Sequence, residues 1–271
     1  SYLKYSAKMM EGPRWAAATD DNYFTSDDDY AKRPIGDTIY WDDRQVSLFP
    51  QSSEDLSVIG GDHVDAVVTD PPYYGNVMYS ELSDFFYVWL RTGLRSLYSS
   101  FSPEFTPKDE EVVEQVTCGH GAPFLHKNQR FFTNGLTRVF AEAGEHLKEG
   151  GTLVFTFHHQ TNEAWGAVLQ TALDAGFYMR SVVPVHAEMR SSLHIVDKRN
   201  ISYDAVIVCR KQDTEPSRAE WRDIEDRVFV RAEQLVRELE ERSNGSRVGP
   251  EDIYVIVIGK CMEEYSKHYF R

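Results

Sequence analysis

Asp70, Pro71, Pro72 and Tyr73 stand consecutively in this 271-residue chain and bring together a carboxylate, a rigid backbone carbonyl and an aromatic ring. Those three groups suit methyl transfer to an exocyclic amine. Such an amine is a poor nucleophile, because its lone pair is delocalised into the ring. Two hydrogen-bond acceptors, the Asp70 carboxylate and the Pro71 carbonyl, would draw the nitrogen toward tetrahedral geometry and localise that pair. Tyr73 would stack on the flat face of a base that has left its helix. The prolines remove conformational freedom, so the acceptors are organised before the reaction starts.

The elements that must hold this tetrapeptide are legible around it. Val64-Asp65-Ala66-Val67-Val68-Thr69 alternates and then becomes continuously apolar and β-branched, which predicts a buried parallel strand in the middle of a sheet. The two prolines end that strand and keep the next residues extended. An acid is then expected at the carboxyl end of a central strand, where open α/β sheets bind ligands. A plain turn is the other reading. Four specified residues recur by chance in a chain of this length with a probability on the order of 10⁻³.

Asp70-Pro71-Pro72-Tyr73 resembles the catalytic motif of S-adenosylmethionine-dependent amino-methyltransferases. The longer stretch from Val64 through Asn76-Val77-Met78-Tyr79-Ser80-Glu81-Leu82-Ser83-Asp84-Phe85-Phe86-Tyr87-Val88-Trp89-Leu90 is similar to one subgroup. Its members are large prokaryotic proteins described as adenine-specific DNA methylases, with an N-terminal domain of unknown function. Gly151-Thr152-Leu153-Val154-Phe155-Thr156-Phe157-His158-His159 and the tail from Gly259-Lys260-Cys261 to Tyr265-Ser266-Lys267-His268-Tyr269 extend the resemblance over about residues 56 to 271. It implies a Rossmann-like methyltransferase sheet, N6 of adenine in DNA as the methylated atom, and S-adenosylmethionine as the cofactor. Asp70 to Tyr73 would be the catalytic residues, with Asp70 also at the cofactor.

One part of that family's pattern is missing. The family also uses a glycine-rich loop after its first strand and an acidic residue after its second to hold the cofactor. No Phe-x-Gly-x-Gly or relative occurs here. Gly60-Gly61 precedes the motif strand, Gly119-His120-Gly121 follows no strand, and Gly150-Gly151 enters a strand instead of leaving one. The expected fold is therefore an α/β, partial Rossmann-like sheet whose cofactor-loop half is not evident, with C-terminal helices. A further segment or chain would complete the cofactor site. Methylation of RNA or of a protein amide is an alternative, as is a non-catalytic, methyltransferase-like binding module.

Composition sets the remaining bounds. Hydrophobic residues at 41% and aromatics at 13% suffice for a real core. The net charge of −14 argues against a broad grip on phosphates, though not against a local basic groove. Cys118, Cys209 and Cys261 form no Cys-x-x-Cys pair and suit a reducing cytoplasm. Cys118, His120 and His126 lack regular spacing and a fourth ligand, so no metal site is assigned. No apolar run reaches about 20 residues and no signal peptide is seen, so a cytoplasmic protein without a membrane span is expected.

Three regions are expected: an arm over 1–55, a methyltransferase region over 56–212 and a helical region over 213–271. The arm is polar and aperiodic, with loops at Asp27-Asp28-Asp29 and Arg33-Pro34 and a possible short strand at Thr38 to Trp41. Apolar spacing predicts a helix from Ser80 to about Tyr98, whose aromatics face the core or a partner. A long irregular loop over 99–128, a lid or target-reading insert, leads to a second helix over 129–148. A strand from Thr152 to Phe157 puts His158 and His159 on the same edge as Asp70; one of them touches the base or the backbone, or both are structural. A helix over 162–175 is followed by strands Tyr178 to Ala187 and Tyr203 to Arg210. Their linker carries Arg190, Lys198 and Arg199, the local candidates for DNA phosphate contacts. A charged helix from Pro216 to Arg242 and a last helix opened by Pro250 complete the chain. The missing strands before Val64 would leave an unprotected edge there, which soluble proteins avoid, so cover by the N-terminal arm, by another chain or by a deleted segment is expected.

Overall fold

In the computed structural model, residues 51–59, 64–75, 77–115, 127–186, 203–213, 215–242 and 247–269 are described, together with the backbone of 20–26 and 29–34. The chain divides into two units, Ser1–Pro50 and Gln51–Arg271. In the first, β1 (Asp20–Ser26) pairs antiparallel with β2 (Asp29–Pro34), in a stretch that showed no strand periodicity.

The second unit is built on a mixed four-stranded sheet of β3 (Val64–Thr69), β4 (Leu147–Phe157), β5 (Phe177–His186) and β6 (Tyr203–Lys211), in the order β3-β4-β6-β5. β3 runs parallel to β4, whereas β6 lies antiparallel to both β4 and β5. Between β3 and β4 come α1 (Tyr79–Leu94) and α2 (Gln129–His146); α3 (Asn162–Asp174) links β4 to β5. After β6 follow β7 (Ser217–Arg218), α4 (Trp221–Arg242), α5 (Pro250–Tyr265) and β8 (His268–Tyr269), with β7 and β8 paired in parallel. The architecture is mixed α/β, an open sheet with C-terminal helices.

Period-two alternation along β4 turns Leu153, Phe155 and Phe157 to one face, where all three are fully buried. Phe140 of α2 meets Phe155 with ring centroids 4.9 Å apart, and Trp165 of α3 meets Phe157 at 5.0 Å. α2 starts where Asn128 accepts a hydrogen bond from the Phe131 N–H at 3.0 Å, satisfying one of the first-turn donors. α5 starts with Pro250 followed by Glu251 and Asp252, as its sequence predicts.

α5 does more than pack. Its Glu263 carboxylate accepts from the Val182 N–H at 2.7 Å, its Lys260 ammonium donates to the Val182 carbonyl at 3.1 Å, and Ser266 Oγ accepts from the Met179 N–H at 2.9 Å. Those groups belong to the outer edge of β5, so helix side chains cap one edge of the sheet. Gly259 allows the approach: a Cβ there would lie 2.7 Å from a Val182 methyl. Arg231 of α4 then pairs with Glu263 at 2.7 Å and Glu264 at 2.5 Å, which ties the last two helices together.

β3 corrects the expectation of a buried central strand. It is the other edge of the sheet, and Val68 is 76% exposed. Among the described residues nothing pairs with its outer side. The apolar run reports what the strand is suited to lie against, and the described chain does not provide that cover. Among the described residues no helix is long and apolar enough to cross a membrane.

Candidate functional site

The Asp70 carboxylate follows the last residue of β3 and is exposed. Its neighbour is the carboxyl end of β4, because Thr69 pairs with Phe155. The next residue on β4, Thr156, therefore comes beside Asp70. Its hydroxyl donates to Asp70 Oδ1, and its oxygen accepts from the Tyr73 hydroxyl at 2.8 Å. A threonine hydroxyl has one proton and two lone pairs, so it can serve both neighbours at once. The result is a directed chain from Tyr73 through Thr156 to Asp70. Asp70 Oδ1 is thereby held while the residue stays exposed.

The rest of the tetrapeptide is fixed locally. Pro71 is buried, and no donor among the described residues engages its carbonyl. The Pro72 carbonyl accepts from the Tyr74 N–H at 3.0 Å. Tyr73 is half-buried, its ring set edge-on to Phe157 with centroids 5.7 Å apart. Burial, above all, pushes its phenol well above the usual range, and the charges of Asp204 and Asp70 add to this. Tyr73 is thus a proton donor throughout the physiological range.

Tyr74 takes a left-handed backbone conformation, φ 60°, in a residue other than glycine. Such a conformation costs on the order of 1–3 kcal/mol and persists where surroundings hold it. Here Tyr74 is buried, its ring lies 5.1 Å from Phe132 and 5.5 Å from the His159 ring, and its carbonyl accepts from the Glu114 N–H at 3.0 Å. Burial first, then a hydrogen bond to Glu114, raises its phenol to about 12.

The two histidines after β4 separate. His158 Nδ1 lies 2.9 Å from Asp204 Oδ1, and the hydrogen bond to Asp204 raises its pKa above 6.5 despite burial. His159 packs against Tyr74 and Phe157, and burial lowers its pKa below 6.5. Its Nδ1 accepts from the Thr161 N–H at 3.1 Å, which requires the unprotonated nitrogen. Both histidines have partners within the fold.

Asp70, Tyr73, His158 and His159 thus gather at one end of β3 and β4. Arg190, Lys198 and Arg199 lie outside the described residues, as do Cys118, His120 and His126. Among the described residues no group of three or more His, Cys, Asp or Glu side chains is placed to hold a metal. Cys209 is buried, with its thiol pushed up to about 12, and Cys261 is half-buried. Thr156 and Asp204 are the site residues that sequence reasoning missed. The available signal was the lone polar residue in Leu153-Val154-Phe155-Thr156-Phe157, at the strand end beside the motif. A cleft of about 530 Å³ lined by Tyr178, Lys211 and Lys267 lies at the opposite end of the sheet and contains none of these residues.

S-Adenosylmethionine, the cofactor implied by the resemblance, finds no cradle among the described residues. β3 leads into Pro71-Pro72-Tyr73-Tyr74, and at Gly75 a Cβ would lie 3.0 Å from the Glu114 carbonyl oxygen, so chain already fills that approach. β4 leads into His158-His159-Gln160-Thr161. Among the described residues neither strand end offers a glycine-rich backbone cradle for the methionine and ribose of that cofactor. Comparison with protein families, curated proteins and solved structures returned no match.

Proposed function

We propose that this chain is the catalytic portion of an S-adenosylmethionine-dependent, adenine-specific DNA methyltransferase that modifies N6. The observation that carries the reading is the hydrogen-bonded chain Tyr73–Thr156–Asp70 at the carboxyl ends of two parallel neighbouring strands. It gives an exposed carboxylate one fixed oxygen, and a rigid proline carbonyl follows directly. The strand order also suits the second half of a methyltransferase sheet.

In this reading the other oxygen of Asp70 and the Pro71 carbonyl accept the two N–H groups of the adenine amine. Accepting both protons directs the nitrogen lone pair out of the ring plane. Pro72 holds the loop while Tyr73, anchored at its hydroxyl, offers a ring edge or face to the extruded base. Bound cofactor would supply an electrophilic methyl group; no step through it is assigned to these residues. No covalent enzyme intermediate is needed, and no cysteine adjoins the motif.

The test is calorimetric titration of the chain with S-adenosylmethionine, followed by methyl transfer to adenine-containing DNA, with Asp70→Ala as control. Asp70-dependent methylation of adenine in DNA is the expected result, and no binding of S-adenosylmethionine by the folded chain would overturn its being a self-sufficient enzyme. Methylation of RNA or of a protein amide instead, across a substrate panel, would overturn the DNA assignment.

A further inference from the structure

Tyr74, one residue after the motif tetrapeptide, holds a backbone conformation that its own side chain disfavours. Its surroundings must supply what keeps it there, and a backbone outlier beside a candidate site points toward function. Three neighbours do the holding. Phe132 of α2 packs against its ring with centroids 5.1 Å apart. Glu114 grips it twice, donating its N–H to the Tyr74 carbonyl at 3.0 Å and taking a hydrogen bond from the phenol on its carboxylate. The His159 ring stands 5.5 Å away, with the two planes 73° apart. Of the three, His159 is the one whose ordinary charge change falls near neutral pH.

The place is a crowded neck. At Gly75 a Cβ would lie 3.0 Å from the Glu114 carbonyl oxygen, so the chain leaving the motif and the chain returning through 113–115 touch here. A movement of Tyr74 is therefore passed to Tyr73, whose hydroxyl sits on Thr156, and through Thr156 to Asp70.

His159 is fastened in a way that depends on its proton. The His159 carbonyl accepts from Trp165 Nε1 at 2.9 Å, which fixes the backbone and leaves the ring as the adjustable part. Ring Nδ1 accepts from the Thr161 N–H at 3.1 Å, just before α3. A proton on Nδ1 would set N–H against N–H. The Thr161 hydroxyl, also 3.1 Å from Nδ1, is then the acceptor on offer, so the ring exchanges its amide bond for a hydroxyl bond. The charged groups facing the ring are His158 on its own strand end, Glu163 in the first turn of α3, and Glu114 across the neck; α2 presents Phe132, and the motif loop presents Tyr74. Burial first, then the charge of His158, favours the neutral ring, while the two glutamates oppose this. Once charged, the ring draws the Glu114 carboxylate toward itself and away from the Tyr74 phenol.

We propose that His159 is a protonation-controlled latch on the Asp70–Tyr74 loop: neutral, it holds Tyr74 in the left-handed conformation that seats Tyr73 on Thr156, and protonated, it lets the loop relax and the Tyr73–Thr156–Asp70 chain open. His159 is a positioning residue in this arrangement, acting through Tyr74. The latch is a property of the loop itself and holds whatever Asp70 and Tyr73 act on.

The test is amide hydrogen exchange of the full chain from pH 8 to 4.5, corrected for the intrinsic pH dependence of exchange, with the His159 imidazole signal followed by NMR on the same samples. Protection of segments 72–75 and 112–115, which hold the Tyr74 and Glu114 amides, should fall at least about 10-fold along the His159 titration. Segment 180–183, whose Val182 amide is bonded to Glu263, should keep its protection. His159→Asn places an amide oxygen near the position of Nδ1 and takes up no proton, so its loop protection should stay level. His158→Gln should leave the fall in place. Level protection in the parent chain, an equal fall at 180–183, an equal fall in His159→Asn, or a fall lost with His158→Gln would each overturn the latch. Tyr74→Gly gives an independent arm: glycine adopts φ 60° without being held, so loop exchange should cease to follow pH, and a surviving pH dependence would overturn the latch as well.

Discussion

Thr156 stands between Tyr73 and Asp70, accepting a hydrogen bond from the phenol at 2.8 Å and donating one to the carboxylate. Thr156→Val keeps the shape of the side chain and removes both bonds. Tyr73 is half-buried, so its stranded hydroxyl should cost about 1 kcal/mol of stability. Urea denaturation measures this, and Thr156→Ser should recover most of the loss. A Val variant as stable as the parent beside a destabilised Ser variant would show that the methyl group matters and the hydroxyl does not.

His158 and His159 should titrate on opposite sides of 6.5. The His158–Asp204 pair stabilises the fold fully below the unfolded value of 6.5 and loses its contribution as pH rises through the higher folded value. His159 acts in the other direction: the unfolded chain takes its proton first, so stability falls as pH drops below 6.5 toward the lower folded value. Imidazole signals followed by NMR from pH 4 to 9 should resolve the two. Asp204→Asn should lower the His158 midpoint and, by removing positive charge beside it, raise that of His159 slightly.

Glu263 is fully buried and bonded to Lys260, Arg231 and the Val182 N–H. Glu263→Ala should cost about 3–5 kcal/mol, since it leaves buried donors without an acceptor. The exposed pair Glu233–Arg237, four residues apart on α4, is the control. Glu233→Ala should change stability by less than about 0.5 kcal/mol. Denaturant unfolding of both variants decides the point.

The left-handed Tyr74 gives a prediction of mixed sign. Tyr74→Phe keeps the packing against Phe132 and loses the hydrogen bond to Glu114, so a cost of about 1 kcal/mol is expected. Tyr74→Gly relieves about 1–2 kcal/mol of backbone strain but loses the aromatic packing, about 3–5 kcal/mol, so a net loss of about 2 kcal/mol is expected. A Gly variant more stable than the parent would show that the strain outweighs the ring.

Much of the second unit was legible in the sequence because its signals are local. Helix periodicity placed α2 and α3 within a residue or two, and Pro250 with its acidic first turn placed the start of α5 and settled a run that reads equally as strand. The helix predicted from Pro216 begins at Trp221, because β7 takes Ser217–Arg218. What sequence could not show was long-range pairing. The Val64–Thr69 run reads as a central strand since β-branched residues report suitability for burial, whereas position in a sheet depends on which strands are present. Thr156 escaped notice for the same reason: its partners lie 83 and 86 residues away. The α1 aromatics were readable as core or partner-facing, and only the burial pattern removes the core reading for the described chain.

The three side chains of α5 that satisfy β5 have an effect on assembly as well as on stability. A sheet open at both margins can recruit strands indefinitely and is the seed of a fibre. With one margin sealed, recruitment along the hydrogen-bonding direction ends after a single event. A second copy meeting Val64–Thr69 edge to edge would leave both outer margins sealed by α5, so growth through this sheet would stop at a dimer.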